Sequence, residues 1–289
     1  MSGADCGFIG LGAMGAPMAR HLHAAGRLAV VGNRSPAKAA ALAAELGVTA
    51  AAAASDFAGC RVVVLCVSAD ADVLEQVDAL AGVLAAGAVV VDHSTVAPDT
   101  AREAARRLAA CGVGFIDAPV SGGVEGARAG RLSVMAGGAA ETLEVARPVL
   151  EAYALRIAHL GPVGAGQSAK AVNQVLVAGI NEAVCEGLAL GEALGLDPGV
   201  LLPTLAAGAA GNWFLDKRGA TMLRDAFEPG FRSEHMLKDL RIAGGVAASV
   251  GVSTTVVDQA IADYQALVDA GHGAEDTSAL IRLKRPRGR

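Results

Sequence analysis

Short hydrophobic runs alternate with alanine-rich stretches of helical composition through the first half of the chain. The hydrophobic runs predict strands at residues 6–9, 28–31, 62–67, 88–91, 114–117, 132–136 and 157–160. The stretches between them predict helices at residues 16–25, 37–46, 72–80, 98–111 and 140–150. Such alternation is typical of a doubly wound parallel sheet with helices on both faces. Residues 48–55 are too rich in alanine to assign to either class.

The pattern changes after residue 160, where strand-like runs end and helices interrupted by Gly and Pro follow. We therefore predict an α/β protein with an N-terminal Rossmann domain at 1–161 and a C-terminal all-helical domain at 162–289. The first helix of the second domain, 167–194, would be about 40 Å long. Its length and the apolar second domain predict a homo-oligomer, a dimer or tetramer, with this helix bridging domains or subunits.

Composition limits the classes of partner. The chain is 53% hydrophobic and 18% charged, which predicts a globular protein, and its net charge of -5 argues against nucleic acid. The basic run at 282–289 is interpreted as a solvated tail. No signal peptide is predicted, and the polar residues within 171–194 argue against a membrane span.

The cysteines and histidines do not suggest a metal or redox site. The five cysteines contain no CxxC pair, which predicts free thiols in a reducing compartment such as the cytoplasm. His21 and His23 are two residues apart on a predicted helix, so their side chains diverge, and no metal is expected.

A glycine-rich motif follows the first predicted strand and opens a helix. Gly10-x-Gly12-x-x-Gly15 is the spacing of a dinucleotide-binding turn, in which the backbone approaches a pyrophosphate at a helix N-terminus. The alternative is a bare structural turn. We predict that the whole loop binds the cofactor: Gly10, Leu11, Gly12, Ala13, Met14 and Gly15.

The end of the second strand indicates which dinucleotide binds. An acidic residue there would bind the ribose 2′-hydroxyl of NAD, but this chain has Asn33-Arg34-Ser35-Pro36, with Lys38 two residues later. Arg34 can bind a 2′-phosphate with two hydrogen bonds, and Ser35 suits a helix N-cap. The sequence predicts NADP over NAD, the alternative being that Arg34 and Lys38 are only surface cations.

Two later strands also end in polar residues. Thr95, within Asp92-His93-Ser94-Thr95, is the candidate contact near the nicotinamide, although Ser94, Thr95 or Asp99 could equally cap a helix. Ser121, Gly122 and Gly123 follow the strand at 114–117 and could bind a carboxylate, the alternative being a loop turn. Asp117 is expected to fix the local backbone rather than to react.

Lys170 is a charged residue near the start of a long apolar helix, directly after a glycine-rich segment. Asn173 follows three residues later and lies on the same helical face. An ammonium and a carboxamide can then act on one substrate. The alternative for Lys170 is a surface lysine whose stem covers apolar residues.

Four sequence blocks together resemble the β-hydroxyacid dehydrogenase family of NAD(P)-dependent enzymes, and the resemblance covers nearly the whole chain. The blocks, which occur in the family's order, are Gly-Phe-Ile-Gly-Leu-Gly-Ala-Met-Gly (7–15), Asp-Ala-Pro-Val-Ser-Gly-Gly (117–123), Gly-Gln-Ser-Ala-Lys-Ala-Val-Asn-Gln (166–174) and Lys-Asp-Leu (238–240). Residues 123–128 and 272–279 are most similar to the 2-hydroxy-3-oxopropionate (tartronate semialdehyde) reductases of that family.

The resemblance implies roles for particular residues. Lys170 would be the catalytic lysine, Asn173 its neighbour in the substrate site, and Ser121 to Gly123 the carboxylate-binding loop. Lys238 would contact the cofactor, as would the loop Cys66, Val67 and Ser68, where relatives commonly carry a proline.

The implied reaction interconverts a small carboxylate-bearing semialdehyde and its hydroxy acid, with Lys170 as general acid and base. Candidate pairs are tartronate semialdehyde with glycerate, succinic semialdehyde with 4-hydroxybutyrate, and the 3-hydroxyisobutyrate pair. Two alternatives remain: an imine reductase on the same scaffold, whose members usually lack the lysine, and a dinucleotide-binding sensor without turnover.

Overall fold

The computed structural model describes residues 4–286. The chain forms two compact units, one ending at Lys170 and one beginning at Ala171. The long helix at the junction contributes its first residues to unit 1 and the remainder to unit 2.

Unit 1 alternates strands and helices in the order that the hydrophobic pattern predicts. Its strands are β1 Cys6–Ile9, β2 Leu28–Gly32, β3 Thr49–Ala50, β4 Val62–Leu65, β5 Val89–Asp92, β6 Gly114–Asp117, β7 Val120–Ser121, β8 Leu132–Gly137 and β9 Ala154–Gly161. Its helices are α1 Gly15–Ala24, α2 Pro36–Leu46, α3 Asp70–Ala81, α4 Pro98–Ala109, α5 Gly123–Ala129 and α6 Ala140–Leu150, and the first turn of α7 Ala165–Ala193 completes it.

One sheet joins these strands in the order β3-β2-β1-β4-β5-β6-β8-β7, with β9 paired to β8. The pairs among β1 to β6 that lie next to each other in this order are all parallel. The first strand therefore lies in the middle of the sheet, with β4 on one side and β2 on the other. This order confirms the predicted doubly wound Rossmann architecture.

The valine runs of the central strands explain why both faces of the sheet are covered. Val62 and Val64 of β4 pack into a hydrophobic cluster on one face, whereas Val63 and Leu65 pack into a second cluster on the other. Because successive side chains of a strand point to opposite faces, an uninterrupted apolar run requires burial on both sides. Helices supply that burial here, and the strands hold the loops at their ends rigidly.

The sheet departs from an all-parallel arrangement at one side. β8 pairs antiparallel with β6 through Asp117 and Gly137, and β9 runs parallel to β8. The hydrophobic pattern located both strands but carries no information about strand direction. β3, at the opposite end of the order, lies inside the alanine-rich stretch that the pattern did not assign; both its residues are exposed.

Unit 2 is helical. It contains the rest of α7 and the helices α8 Pro198–Ala206, α9 Trp213–Leu223, α10 Ser233–Ser249, α11 Thr255–Leu267 and α12 Ile281–Lys284. Its own apolar core includes Leu188, Leu240 and Tyr264. Buried Asn181 of α7 donates hydrogen bonds to the Tyr264 hydroxyl at 2.8 Å and the Thr277 carbonyl at 2.9 Å. Within the described part of the chain, no helix is long and apolar enough to cross a membrane.

The basic run near the C-terminus is not a solvated tail where the structure describes it. The Lys284 ammonium lies 2.7 Å from Glu182 and 2.6 Å from Asp263, with its side chain only 13% exposed. Arg285 binds Glu192 and Asp225, each at 2.8 Å. The interpretation as a tail was therefore wrong for 282–285, because the acidic partners are distant in sequence; residues 287–289 lie outside the described residues.

Candidate active site

The carboxyl ends of five parallel strands form one row across the sheet of unit 1. In the strand register, Gly32 lies beside Ile9, Ile9 beside Leu65, Leu65 beside Asp92, and Asp92 beside Asp117. The predicted binding loops of unit 1 come after these strand ends in the sequence, at residues 10–15, 33–38, 66–68, 93–95 and 121–123. The register therefore brings those loops to one edge, where open α/β sheets bind ligands.

The glycine-rich loop is closely packed at Gly10 and Gly15 and open at Gly12. Gly10 has a φ of +99°, and a Cβ there would lie 2.2 Å from the Cys66 carbonyl oxygen. A Cβ at Gly15 would lie 1.9 Å from the Gly10 carbonyl oxygen, whereas a Cβ at Gly12 would meet no atom within 4 Å. Gly10 and Gly15 are thus needed for packing, while Gly12 leaves an open approach to the N-terminus of α1. Ala13 is exposed and Met14 half-buried beside it.

Asn33 joins the end of β2 to the glycine-rich loop. Its side-chain oxygen accepts a hydrogen bond from the Leu11 N–H at 2.9 Å, and its amide nitrogen donates to the Ser35 carbonyl at 3.2 Å. Asn33 therefore fixes the loop in addition to any contact with a ligand, a role that the sequence did not suggest.

The cations predicted to select NADP are both exposed at the carboxyl edge. The Arg34 side chain is 87% exposed and lies 3.7 Å from the Asp72 carboxylate, a separation at which an exposed ion pair contributes little. Lys38 is exposed in the first turn of α2. Ser35 occupies the N-cap position of α2 without a side-chain capping bond, and Pro36 begins the helix.

The loops after β4 and β5 are tied together. The Val67 N–H donates to the Ser94 hydroxyl at 2.9 Å, and the Ser94 N–H donates to the Asp92 carboxylate at 2.9 Å. The alternative role of residues 94 and 95 as helix caps is excluded, because α4 begins at Pro98 with Ala97 as its N-cap.

Cys66 and Val67 are half-buried and Ser68 is exposed. Burial raises the pKa of the Cys66 thiol to about 12, so this thiol is not a nucleophile at neutral pH.

Asp117 holds the segment that leads into α7. Its carboxylate accepts hydrogen bonds from the Gly164 N–H at 2.8 Å and the Gln167 N–H at 2.9 Å. Burial raises the pKa of Asp117 to about 6, although these backbone bonds act in the opposite direction. The predicted backbone role of Asp117 agrees with these contacts.

Lys170 is directed at the loop that follows β6. Its ammonium donates a hydrogen bond to the Val120 carbonyl at 2.9 Å, and the residue is only 8% exposed. Val120 immediately precedes the loop of Ser121, Gly122 and Gly123. Gly122 and Gly123 have φ angles of +129° and +61°, which disfavour other residues. Lys170 is therefore not a surface lysine, because its charge is buried against the predicted carboxylate loop.

Asn173 and Lys238 belong to one chain of polar contacts within unit 2. The Asn173 amide donates to the Gln174 side-chain oxygen at 2.8 Å, and the Gln174 amide donates to the Asp239 carboxylate at 2.8 Å. The Lys238 ammonium lies 3.0 Å from the same carboxylate. Gln174 and Asp239 are both buried, and the sequence did not predict either as a site residue. Each directly follows a predicted site residue, Asn173 or Lys238.

His93 is a buried histidine at the carboxyl edge that the sequence did not single out. Its Nε2 lies 2.8 Å from the Tyr153 hydroxyl, and its Nδ1 contacts the Ala118 carbonyl. Since a carbonyl only accepts, Nδ1 carries the hydrogen and Nε2 accepts from Tyr153. Burial lowers the pKa of His93 to about 4. The imidazole is therefore neutral at physiological pH and orders the chain at Ala118 instead of exchanging protons.

His93 should make the protein acid-sensitive. Because its folded-state pKa lies below the usual value, the unfolded chain binds the proton more tightly. The contribution of neutral His93 to the stability of the fold is complete above about pH 6.5 and is lost as the pH falls toward 4. Between about pH 7 and about pH 5, the contribution of His93 to the free energy of unfolding should fall by about 2 kcal/mol.

Urea unfolding at several pH values measures this loss, with His93→Gln as the comparison. Asp117 acts with the opposite sign, since its raised pKa favours protonation of the folded state, but it is common to both proteins. The variant should therefore lose about 2 kcal/mol less than the wild type over the same pH interval. Equal losses in the two proteins would show that His93 is not the titrating group.

This edge of the sheet can accommodate the pyrophosphate of a dinucleotide. The loop from Gly10 to Gly15 leaves an open approach at Gly12, and α1 presents its first N–H groups there. A metal site has no comparable support: among residues 4–286, no group of His, Cys, Asp and Glu side chains is arranged to hold a metal ion.

Comparison with known proteins identifies the family. The family described as the NAD binding domain of 6-phosphogluconate dehydrogenase matches residues 5–161. The family described as NAD-binding of NADP-dependent 3-hydroxyisobutyrate dehydrogenase matches residues 164–284. The two matches together cover both units.

Individual relatives cover almost the whole chain. A 3-hydroxyisobutyrate dehydrogenase of Pseudomonas aeruginosa is 37% identical, with 97% of this chain and 98% of that protein covered. An NAD-dependent L-serine dehydrogenase of the same organism is 38% identical, with 96% and 97% covered. The structure of Mycobacterium tuberculosis 3-hydroxyisobutyrate dehydrogenase with L-serine has a TM-score of 0.88 at 32% identity, with 99% and 100% covered. This chain therefore belongs to the β-hydroxyacid dehydrogenase family of NAD(P)-binding oxidoreductases.

Proposed function

We propose that this protein interconverts a small carboxylate-bearing semialdehyde and its hydroxy acid with NADP(H), using Lys170 as the proton donor and acceptor. The observation that carries the proposal is the buried Lys170 ammonium, 2.9 Å from the Val120 carbonyl beside the Ser121 loop. A buried ammonium at the carboxyl edge of a dinucleotide-binding sheet suits carbonyl reduction, because negative charge develops on oxygen there.

The chemistry follows from these positions. When bound, the nicotinamide supplies hydride to the aldehyde carbon or accepts it from the alcohol. In reduction, the Lys170 ammonium stabilises the developing alkoxide and donates a proton to it. In the reverse direction, the neutral amine of Lys170 accepts the proton of the substrate hydroxyl.

Other residues would bind and orient the reactants. We assign the substrate carboxylate to the loop of Ser121, Gly122 and Gly123, in which the positive φ angles of the two glycines turn the chain at the end of β7. Asn173, three residues after Lys170 on α7, would bind the substrate hydroxyl or carbonyl. The glycine-rich loop, Cys66 to Ser68 and Thr95 would bind the cofactor together with Lys238.

Within this class, two observations bear on the substrate. Residues 123–128 and 272–279 favour tartronate semialdehyde, whereas the names of the relatives add 3-hydroxyisobutyrate and L-serine as candidates. The imine reductase and the sensor are not favoured, since the named relatives are dehydrogenases of hydroxy acids and Lys170 is present.

A substrate panel tests the function. Reduction of tartronate, methylmalonate and succinate semialdehydes would be followed by nicotinamide absorbance, and oxidation of glycerate, 3-hydroxyisobutyrate, 4-hydroxybutyrate and L-serine in the same way. We expect turnover of at least one pair. Tight NADPH binding without turnover of any compound would refute the proposal and support the sensor. If cyclic imines are assayed beside the panel, their reduction without turnover of any panel compound would refute the proposal and support the imine reductase.

The preference for NADP is the second part of the proposal, and it depends on Arg34. A hydrogen bond between charged groups contributes about 2 kcal/mol, so Arg34→Ala should raise the KM for NADPH about 30-fold. The KM for NADH should change little, because NADH has no 2′-phosphate. Steady-state kinetics with both cofactors measures the change.

Arg61→Ala is the matched control for Arg34. Arg61 is also exposed, but it immediately precedes β4 and so lies at the amino edge of the sheet, away from the cofactor loops. The control should leave both KM values unchanged. A wild-type enzyme that prefers NADH would contradict the assignment of Arg34.

A further inference from the structure

The side chain of Gln167 brackets Thr95 with two hydrogen bonds. Its amide nitrogen donates to the Ser94 carbonyl at 2.7 Å, and its oxygen accepts from the Val96 N–H at 3.2 Å. Gln167 is 1% exposed. A carboxamide that binds the backbone on both sides of a residue mimics the pairing of a neighbouring strand, so it fixes the backbone of Thr95 at both ends.

The backbone of Gln167 is fixed as well, by Asp117. The Asp117 carboxylate accepts from the N–H groups of Gly164 and Gln167, which belong to the segment that opens α7. These N–H groups have no partner within a helix, so an acceptor from β6 replaces a local N-cap. The first turn of α7 is therefore attached to the end of the rigid central sheet.

Two glycines leave no space for this attachment to shift. A Cβ at Gly137 would lie 2.6 Å from one oxygen of the Asp117 carboxylate, and a Cβ at Gly166 would lie 2.9 Å from the other. Both contacts are closer than a side chain tolerates. The backbone thus packs directly around the carboxylate, which restricts the turn between Gly164 and Gln167 to one position.

The same turn of α7 carries Lys170, three residues after Gln167. The Lys170 ammonium binds the Val120 carbonyl at 2.9 Å, while Gln167 binds the loop of Thr95. The Ser94 hydroxyl also accepts from the Val67 N–H at 2.9 Å, which connects the loop after β4. A single helical turn therefore sets the spacing among the catalytic ammonium, the substrate loop and the cofactor loops.

We propose that Gln167 is a positioning residue that holds Thr95 in register with Lys170, and that Asp117 holds the turn which carries both. The inference rests on the function proposed above. Proton donation by Lys170 and hydride transfer must occur at adjacent atoms of one substrate, and a displacement of about 1 Å between reacting groups lowers the rate about 100-fold. A buried amide with only a structural role would affect stability and not the chemical step.

Gln167→Met tests the proposal, because methionine has a similar length and makes neither hydrogen bond. We expect kcat to fall about 10- to 100-fold with a smaller change in the KM for the semialdehyde. Amide hydrogen exchange should rise about tenfold at residues 94–97. Gln167→Glu keeps the acceptor for Val96 but sets a carboxylate oxygen against the Ser94 carbonyl, so its kcat should also fall below that of the wild type.

Asn181→Leu is the matched control, since Asn181 is another buried amide of α7 with two hydrogen bonds, located in unit 2. It should lower the Tm as Gln167→Met does, yet keep kcat and the exchange at residues 94–97. A Gln167→Met enzyme with wild-type kcat would overturn the positioning role, as would unchanged exchange at those residues. Absence of turnover in the wild type would instead refute the proposed function, and the exchange measurement would still decide whether Gln167 holds Thr95.

Discussion

Lys170→Met is expected to lower kcat for semialdehyde reduction by about 10²- to 10⁴-fold, the range that a positioned proton donor contributes. Methionine retains the length of the side chain and removes the ammonium that donates to the Val120 carbonyl. The dissociation constant for NADPH should change little, because the glycine-rich loop and Arg34 are untouched. Stopped-flow reduction and a fluorescence titration of NADPH measure the two quantities separately.

Lys217→Met is the matched control for Lys170. It makes the same substitution at a lysine that is 55% exposed and paired with Asp216 on α9. Its kcat should equal that of the wild type. If Lys170→Met also retains the wild-type kcat, then Lys170 takes no part in proton transfer, and the lysine would serve only to hold the loop at Val120.

The second large effect concerns stability. Lys284→Met should lower the free energy of unfolding by about 3 to 5 kcal/mol, because it removes the cation between two poorly exposed carboxylates. The Lys284 ammonium lies 2.7 Å from Glu182 and 2.6 Å from Asp263, whose side chains are 11% and 19% exposed. Without the ammonium, two negative charges remain close together with little access to water. Urea unfolding measures the difference.

Two further variants test whether the loss of stability in Lys284→Met comes from the unpaired carboxylates. Lys217→Met breaks an exposed ion pair and should change the free energy of unfolding by less than about 0.5 kcal/mol. Adding Glu182→Gln to Lys284→Met removes one of the stranded charges and should recover part of the loss. A loss below about 1 kcal/mol for Lys284→Met would mean that water enters the cluster and screens the carboxylates.

The strands of unit 1 were predictable because their signal is local. A strand buried on both faces must be apolar at every position, so an uninterrupted apolar run such as Val62 to Leu65 can be recognised as a strand in the sequence. The predicted bounds 6–9 and 114–117 agree with β1 and β6. β3 was missed because its two residues, Thr49 and Ala50, are exposed and carry no apolar pattern.

The candidate site was predictable only in part. Motifs such as Gly10 to Gly15 depend on the conformation of a few adjacent residues, so their spacing is visible in the sequence. Gln167 also lies in a recognisable block, but its contacts are with Ser94 and Val96, more than 70 residues earlier. The position of a glutamine three residues before a helical lysine does not predict hydrogen bonds to a loop so distant in the sequence.

The sequence by itself determined the alternation of buried strands and helices and the dinucleotide-binding turn. It also singled out Lys170 as a candidate site residue, because a charge is unusual near the start of a long apolar helix. Only the tertiary structure decided that Asp117 anchors the first turn of α7, that Gln167 brackets Thr95, and that Lys284 is an internal cation instead of part of a tail. The physical reason is the range of the interactions. Periodicity and backbone conformation act between neighbouring residues, whereas these hydrogen bonds and ion pairs exist only after the order of strands and the packing of helices have brought distant segments together.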